Sequence, residues 1–259
     1  MKKKIQTKRT MVSILAMVVG CFSKAVYIPF LALYWLMPKD KFYSRRQKNL
    51  FKAGIFVLLI LMFASFILPL IGNVTSGAEV GDYRGGDTSQ TSQLSMILGY
   101  PLTYTGVLLK SLGTTFASYF IGSKVLANFA YRGIYDGIGY FVVLLTMLFT
   151  FVTDFGMTEK IYDAQMKRKI FIMKIWNAVL IFGTACLVWT ALYLDFTPVG
   201  SMVINGVSPR YYLPLIFPLS LIFINQKVRC SMKLENYQSL IAFLMLIGTG
   251  ISIYCLMLA

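Results

Sequence analysis

The sequence predicts an all-α fold, a polytopic helical bundle embedded in a lipid bilayer. Three observations predict it. Of the 259 residues, 57% are hydrophobic and only 14% are charged, where a soluble chain carries about 25% charged residues. Mean hydropathy is +0.68. Several apolar runs approach or exceed the ~18 residues that cross a hydrocarbon core. The expected architecture is about five full transmembrane helices, a short N-terminal helical hairpin and interfacial helices, forming a single membrane domain over 1–259.

The segment 10–38 comes first. Lys24 divides it into two apolar pieces of about 14 residues, each reaching ~21 Å as an α-helix, less than a ~30 Å core. Lys2, Lys3, Lys4, Lys8 and Arg9 precede it; Lys39, Lys41, Arg45, Arg46, Lys48 and Lys52 follow it. Basic flanks mark the cytoplasmic side. Two cytoplasmic flanks favour an even number of crossings, hence a hairpin turning near Ser23-Lys24. One long helix with a buried lysine is the alternative, and it would put one basic cluster outside.

Full spans are expected at 52–72, 134–154, 171–194, 211–225 and 238–258. The loops between them alternate in charge. Basic clusters recur at 155–174 and 226–237. Nineteen of the 25 Lys and Arg residues fall on the inside, leaving Lys24, Arg84, Lys110, Lys124, Arg132 and Arg210 outside. The net charge of +15 is thus mostly a topology signal, and no nucleic-acid partner is implied. The expected location is the cell membrane, multi-pass, with the N-terminus cytoplasmic and the C-terminus extracytoplasmic. Binding of anionic lipid is a secondary reading of the run from Lys39 to Lys52.

The segment 73–133 is read as an extracytoplasmic loop. It opens Gly/Asp/Thr/Ser/Gln-rich. It continues as apolar sequence broken by Pro101 and glycines, which suits interfacial or re-entrant helices. The later crossings pack by close contact, and Gly248 and Gly250 lie too near the end to make a useful dimer motif.

The absence of histidine removes Ser-His-Asp and Cys-His catalysis and histidine metal ligation. Cys21, Cys186, Cys230 and Cys255 show no CxxC spacing. No metal site and no cofactor are expected. The outside face collects polar groups in three places. Asp82, Arg84, Asp87, Gln90 and Gln93 form one; Asp195, Arg210, Tyr211 and Tyr212 another; Lys24 at the hairpin tip is the third. Such a set suits a phosphorylated lipid. Arginine grips phosphate bidentately, tyrosine hydroxyls stay wet at headgroup depth, and an aspartate can act as base towards a sugar hydroxyl. The bland readings are an aromatic belt for the tyrosines, snorkelling for Arg210 and Lys24, and solvated turns for Asp82 and Asp87. Asn73-Val74-Thr75 matches a glycosylation sequon, a short and weakly specific pattern.

The stretch "TPVGSMVINGVSPRYYLP", Thr197 to Pro214, resembles a late loop of a bacterial polytopic family, domain of unknown function 2142. That family reads T-P-V-G, then I-x-G-V-x-G-R-Y-F-L-P. The pattern from Gln93 to Pro101, a lysine between short apolar segments as at Lys24, and Phe120-Ile121-Gly122 resemble the family too. Pro209 departs from it, standing where a small residue, often glycine, is usual. The family is similar to the GT-C glycosyltransferases, which transfer sugars from polyprenyl phosphates on the outer face. The resemblance implies the C-terminal portion of such a protein, acting in bacterial cell-envelope glycan assembly. In GT-C enzymes the catalytic acid lies in the first outside loop, and no residue here inherits that role.

The expected function is accordingly a GT-C-like glycosyltransferase relative, with the catalytic residue unassigned. Arg210, Tyr211, Lys24, Asp87 and Gln93 are the candidate contacts to substrate or lipid phosphate. A polyprenyl-phosphate carrier and a membrane protein supplying the missing N-terminal half are the expected partners, beside the bilayer itself. The alternative is a non-catalytic subunit or carrier-lipid binder working with a glycosyltransferase or flippase. A transporter fragment is disfavoured, because 134–154 and 238–258 carry almost no ionisable group near mid-membrane.

Overall fold

The first helix, α1 (Thr7–Phe22), ends in a turn. The chain then reverses into a 3₁₀ segment, Ala25–Leu36. A computed structural model describes the chain except residues 1–6, 23, 38, 77–86, 130–132, 154–163, 224–227, 229 and 259. The hairpin expected at Lys24 is present: Lys24 N–H donates to the Cys21 carbonyl at 3.1 Å, and the Tyr34 hydroxyl reaches back to Ser13 Oγ at 2.9 Å. Pro29 lies inside the returning segment. It lacks an N–H and disfavours α geometry at the residue before it. Twelve residues in 3₁₀ form extend ~24 Å, and the sequence pattern gave no sign of that winding.

Helix α2 (Arg45–Ser76) follows a short 3₁₀ turn at Lys39–Lys41. Its start is fixed by a variant of the capping box: Ser44 Oγ accepts from Gln47 N–H at 3.1 Å, and Gln47 Oε1 accepts from Tyr43 N–H at 2.8 Å. The sequon Asn73-Val74-Thr75 falls in the last turns of this helix. Cys21, Ile28, Leu31 and Met62 form a core joining α1, the 3₁₀ segment and α2.

Next come α3 (Gln90–Gly99), α4 (Pro101–Phe120), α5 (Ser123–Leu126), α6 (Ile138–Thr153), α7 (Ala164–Phe196), α8 (Leu213–Phe223) and α9 (Leu234–Leu258). Ser89 caps α3 by accepting from Ser92 N–H. No named strand occurs among the described residues; Asn128 and Ile134 make one isolated bridge. Among the described residues, three helices are long and apolar enough to cross a membrane: Arg45–Ser65 within α2, Lys167–Phe196 within α7, and α9. The reading of about five full spans meets two shorter helices here. The described α6 has 16 residues and α8 has 11, with Pro218 inside the latter.

The helices group into two units. One comprises 1–109 and 182–207, the other 110–181 and 208–259. In the second, α6 and α9 pack at very short range. A methyl group at Gly139 would strike Ser252 and, at 2.5 Å, the Gly248 carbonyl; one at Gly248 would lie 2.9 Å from Val143 Cγ2. Gly248, set aside in the sequence only as a dimer motif, is half of this crossing within the chain, whereas Gly250 has open space beside it. Below the glycines, Thr153 spends its proton on the Phe149 carbonyl, so Tyr237 donates to Thr153 Oγ1 at 2.9 Å.

Candidate functional site

Two polar regions hold the residues that the sequence singles out, one in each unit. In the first unit, α3 and the C-terminal end of α7 carry a hydrogen-bonded knot. Gln90 Nε2 donates to Asp195 Oδ1 at 2.5 Å. Gln93 is wholly buried, and its Oε1 accepts from Gly200 N–H at 3.2 Å. The Tyr193 hydroxyl donates to the Ser201 carbonyl at 3.1 Å, with Met96 sulfur 3.8 Å away. Thr197 Oγ1 donates to the Leu192 carbonyl and accepts from Asn205 N–H, both at 3.0 Å. These bonds clamp the loop 197–205 onto the end of α7.

The loop needs glycine twice. Gly200 and Gly206 have φ of +79° and +78°, which side-chain-bearing residues adopt at a cost. A Cβ at Gly206 would also enter the Phe196 ring. Nearby, Tyr104 of α4 stacks at 5.2 Å on Tyr193. It donates to Thr190 Oγ1, whose own proton goes to the Cys186 carbonyl. Burial pushes the Tyr104 phenol above its ordinary value, with the Thr190 bond opposing.

Two amide atoms in the knot remain unmet: Gln90 Oε1 and Gln93 Nε2 are buried without a hydrogen-bond partner. Asp87 differs from these residues. Its side chain is exposed, and its carbonyl accepts from Val199 N–H at 3.4 Å. Lys24 stands exposed at the tip of the N-terminal hairpin, in the same unit. The expected contacts at Asp82 and Arg84 lie outside the described residues.

In the second unit, Pro209–Tyr212 form a single 3₁₀ turn leading into α8. Tyr212 is buried, edge-on to Phe120 at 4.8 Å and to Tyr119 at 5.4 Å. Tyr211 N–H donates to the Ser208 carbonyl at 3.0 Å. Arg210 is exposed, and its guanidinium carbon lies 5.8 Å from the centre of the Tyr211 ring, within cation–π range. Among the described residues no carboxylate pairs with it. Pro209, the departure from the familiar loop pattern, sits at the first position of the turn, where a fixed φ and a missing N–H are harmless.

Residues 1–219 match the family model described as "Predicted membrane protein (DUF2142)". The chain belongs to that family. Neither the comparison with curated proteins nor that with solved structures gave a match. The match covers both halves of the DUF2142 loop, Thr197–Val207 with its clamped glycines and Ser208–Pro214 with the arginine turn. Sequence reasoning names Gln93, Arg210 and Tyr212, takes Thr197 only as the start of the family-like stretch, and misses Tyr193. The two positive-φ glycines flanking Ser201–Asn205 were the available signal for a built loop.

Proposed function

We propose that this DUF2142 protein is a GT-C-like glycosyltransferase relative that handles polyprenyl-phosphate-linked sugars in bacterial cell-envelope glycan assembly. Arg210 is the contact to the carrier's phosphate. One observation carries the reading. The guanidinium is exposed on a turn pinned by the buried Tyr212 and lacks a carboxylate partner among the described residues. A positioned, uncommitted guanidinium is a bidentate donor for phosphate, and the neighbouring Tyr211 ring limits its freedom at small cost. In the other unit, as separate candidates, Lys24 is a contact to a lipid phosphate, and Asp87 and Gln93 are contacts to a sugar or acceptor. The bilayer is the cell membrane, with the N-terminus cytoplasmic and 73–133 on the extracytoplasmic side. A membrane protein is its candidate partner.

The second reading, a non-catalytic carrier-lipid-binding subunit, is favoured by Asp195. This carboxylate is engaged by Gln90 rather than presented to solvent. The test is native mass spectrometry of the detergent-purified chain with undecaprenyl phosphate. Wild type should retain the lipid, Arg210→Lys partly, and Arg210→Ala at about a tenth or less, the loss expected for one charge-assisted contact. Equal retention by wild type and Arg210→Ala would remove the carrier-lipid reading altogether. Retention without sugar transfer in any reconstituted pairing would favour the subunit reading.

A further inference from the structure

One helix, α2, borders two cavities of opposite chemistry. At its start, a cavity of about 470 Å³ is lined by Lys39, Ser44, Arg45, Lys48 and Asn49. Three of these five residues are cations and none is an acid. Lys52 adds a further cation close to Lys48, and such a cluster of like charges favours an anion placed among them. Further along, an entirely apolar groove of about 510 Å³ is lined by Trp35, Phe56, Leu59, Ile60, Phe63, Ala64, Ile67 and Leu68. Trp35 forms its wall from the 3₁₀ segment, stacked on Phe56 at 6.1 Å and 11°.

The two cavities share one face of α2. Arg45, Asn49, Lys52, Phe56, Ile60, Phe63 and Ile67 recur every three or four residues, the spacing that aligns side chains on a helix of 3.6 residues per turn. From Asn49 to Phe56 the axis rises ~10 Å, and the groove from Phe56 to Leu68 runs a further ~18 Å. Half of a ~30 Å hydrocarbon core is ~15 Å. Cationic pocket and apolar groove are therefore stacked along the helix in the order and at the scale of one leaflet's lipid, head first.

We propose that this face of α2 is a binding site for an anionic glycerophospholipid, its phosphate among Lys39, Arg45 and Lys48 and an acyl chain in the groove beside Trp35. The charge bias of the flanks assigns this end of α2 to the cytoplasmic leaflet. The site is independent of the carrier-lipid reading, which concerns Arg210.

The full chain, purified in detergent, is titrated with dioleoyl phosphatidylglycerol or dioleoyl phosphatidylcholine and read by native mass spectrometry. Wild type should prefer the anionic lipid at least about tenfold. Lys39→Gln, Arg45→Gln and Lys48→Gln combined should erase that preference, at about twofold or more per cation. Arg46→Gln removes a neighbouring charge that does not line the cavity, and it should leave the preference intact. Ala64→Phe fills the groove and should weaken retention of both lipids. Equal binding of the two lipids by wild type overturns the proposal. So does an Arg46→Gln loss equal to that of the single lining variants, which would mean diffuse charge. Displacement of phosphatidylglycerol by millimolar inorganic phosphate, with Ala64→Phe silent, would make the pocket a free-anion site and overturn the lipid assignment. Arg210→Ala should leave phosphatidylglycerol retention unchanged, which separates this test from that of the carrier lipid.

Discussion

The Gln93 knot and the Arg210 turn are built from similar residues and put to opposite uses. In the knot, Gln90, Gln93, Asp195, Tyr193 and Thr197 turn their polar atoms inward and hold the 197–205 loop to α7. In the turn, the packing is done by Tyr212, and the charged group beside it is left exposed. Each region holds one half of the loop shared with DUF2142, Thr197–Val207 in the first and Ser208–Pro214 in the second. Polar atoms consumed by the backbone are architecture, and a charge held in place yet uncommitted is available for a ligand.

That contrast can be broken by substitution. The largest stability effect is expected from Tyr212→Ala, at about 3–5 kcal/mol, since a buried aromatic anchor is removed. Thermal unfolding in detergent should show it, and a small shift would mean that the turn is not pinned as described. Gly206→Val comes next, at about 2–3 kcal/mol, combining a positive φ with overlap on Phe196. Asp195→Ala should cost about 1–3 kcal/mol by leaving the half-buried Gln90 amide without this partner, and the same melting curves will report it. Arg210→Ala should stay within about 0.5 kcal/mol of wild type, as exposed substitutions do, while reducing retention of undecaprenyl phosphate. If it destabilises as much as Asp195→Ala, the arginine is structural and the contrast between the regions collapses. Smallest of all is Tyr211→Phe, which keeps the ring under the guanidinium and should alter neither melting nor retention measurably.

The helical membrane class was readable because hydropathy and the sided distribution of Lys and Arg are additive along the chain. The hairpin at Lys24 was readable for the same reason, since a charge between two short apolar pieces forces a choice. The 3₁₀ winding of Ala25–Leu36 was not, because Pro29 alone does not distinguish a kink from a change of helix type. Tyr211 and Tyr212 are adjacent and chemically identical. Only the placement of Tyr119 and Phe120, far away in the chain, makes one an anchor and the other a neighbour of Arg210. The role of Gly248 in the crossing was not legible because its counterpart is Gly139, on another helix. Gln93 was legible as a residue of interest but not as a buried one, since burial of an amide depends on the loop that closes over it.

The unusual winding next to α2 has a mechanical consequence. With three residues per turn, Ala25, Ile28, Leu31 and Tyr34 stand in one straight row, and all four touch the core shared with α1 and α2. They mesh like the teeth of a rack. Rewound as an α-helix, the same twelve residues would shorten from ~24 to ~18 Å. At 100° per residue, Tyr34 would swing half a revolution away from Ala25 and lose its grip on Ser13. Screw rotation and travel along the axis are thus geared together in this segment.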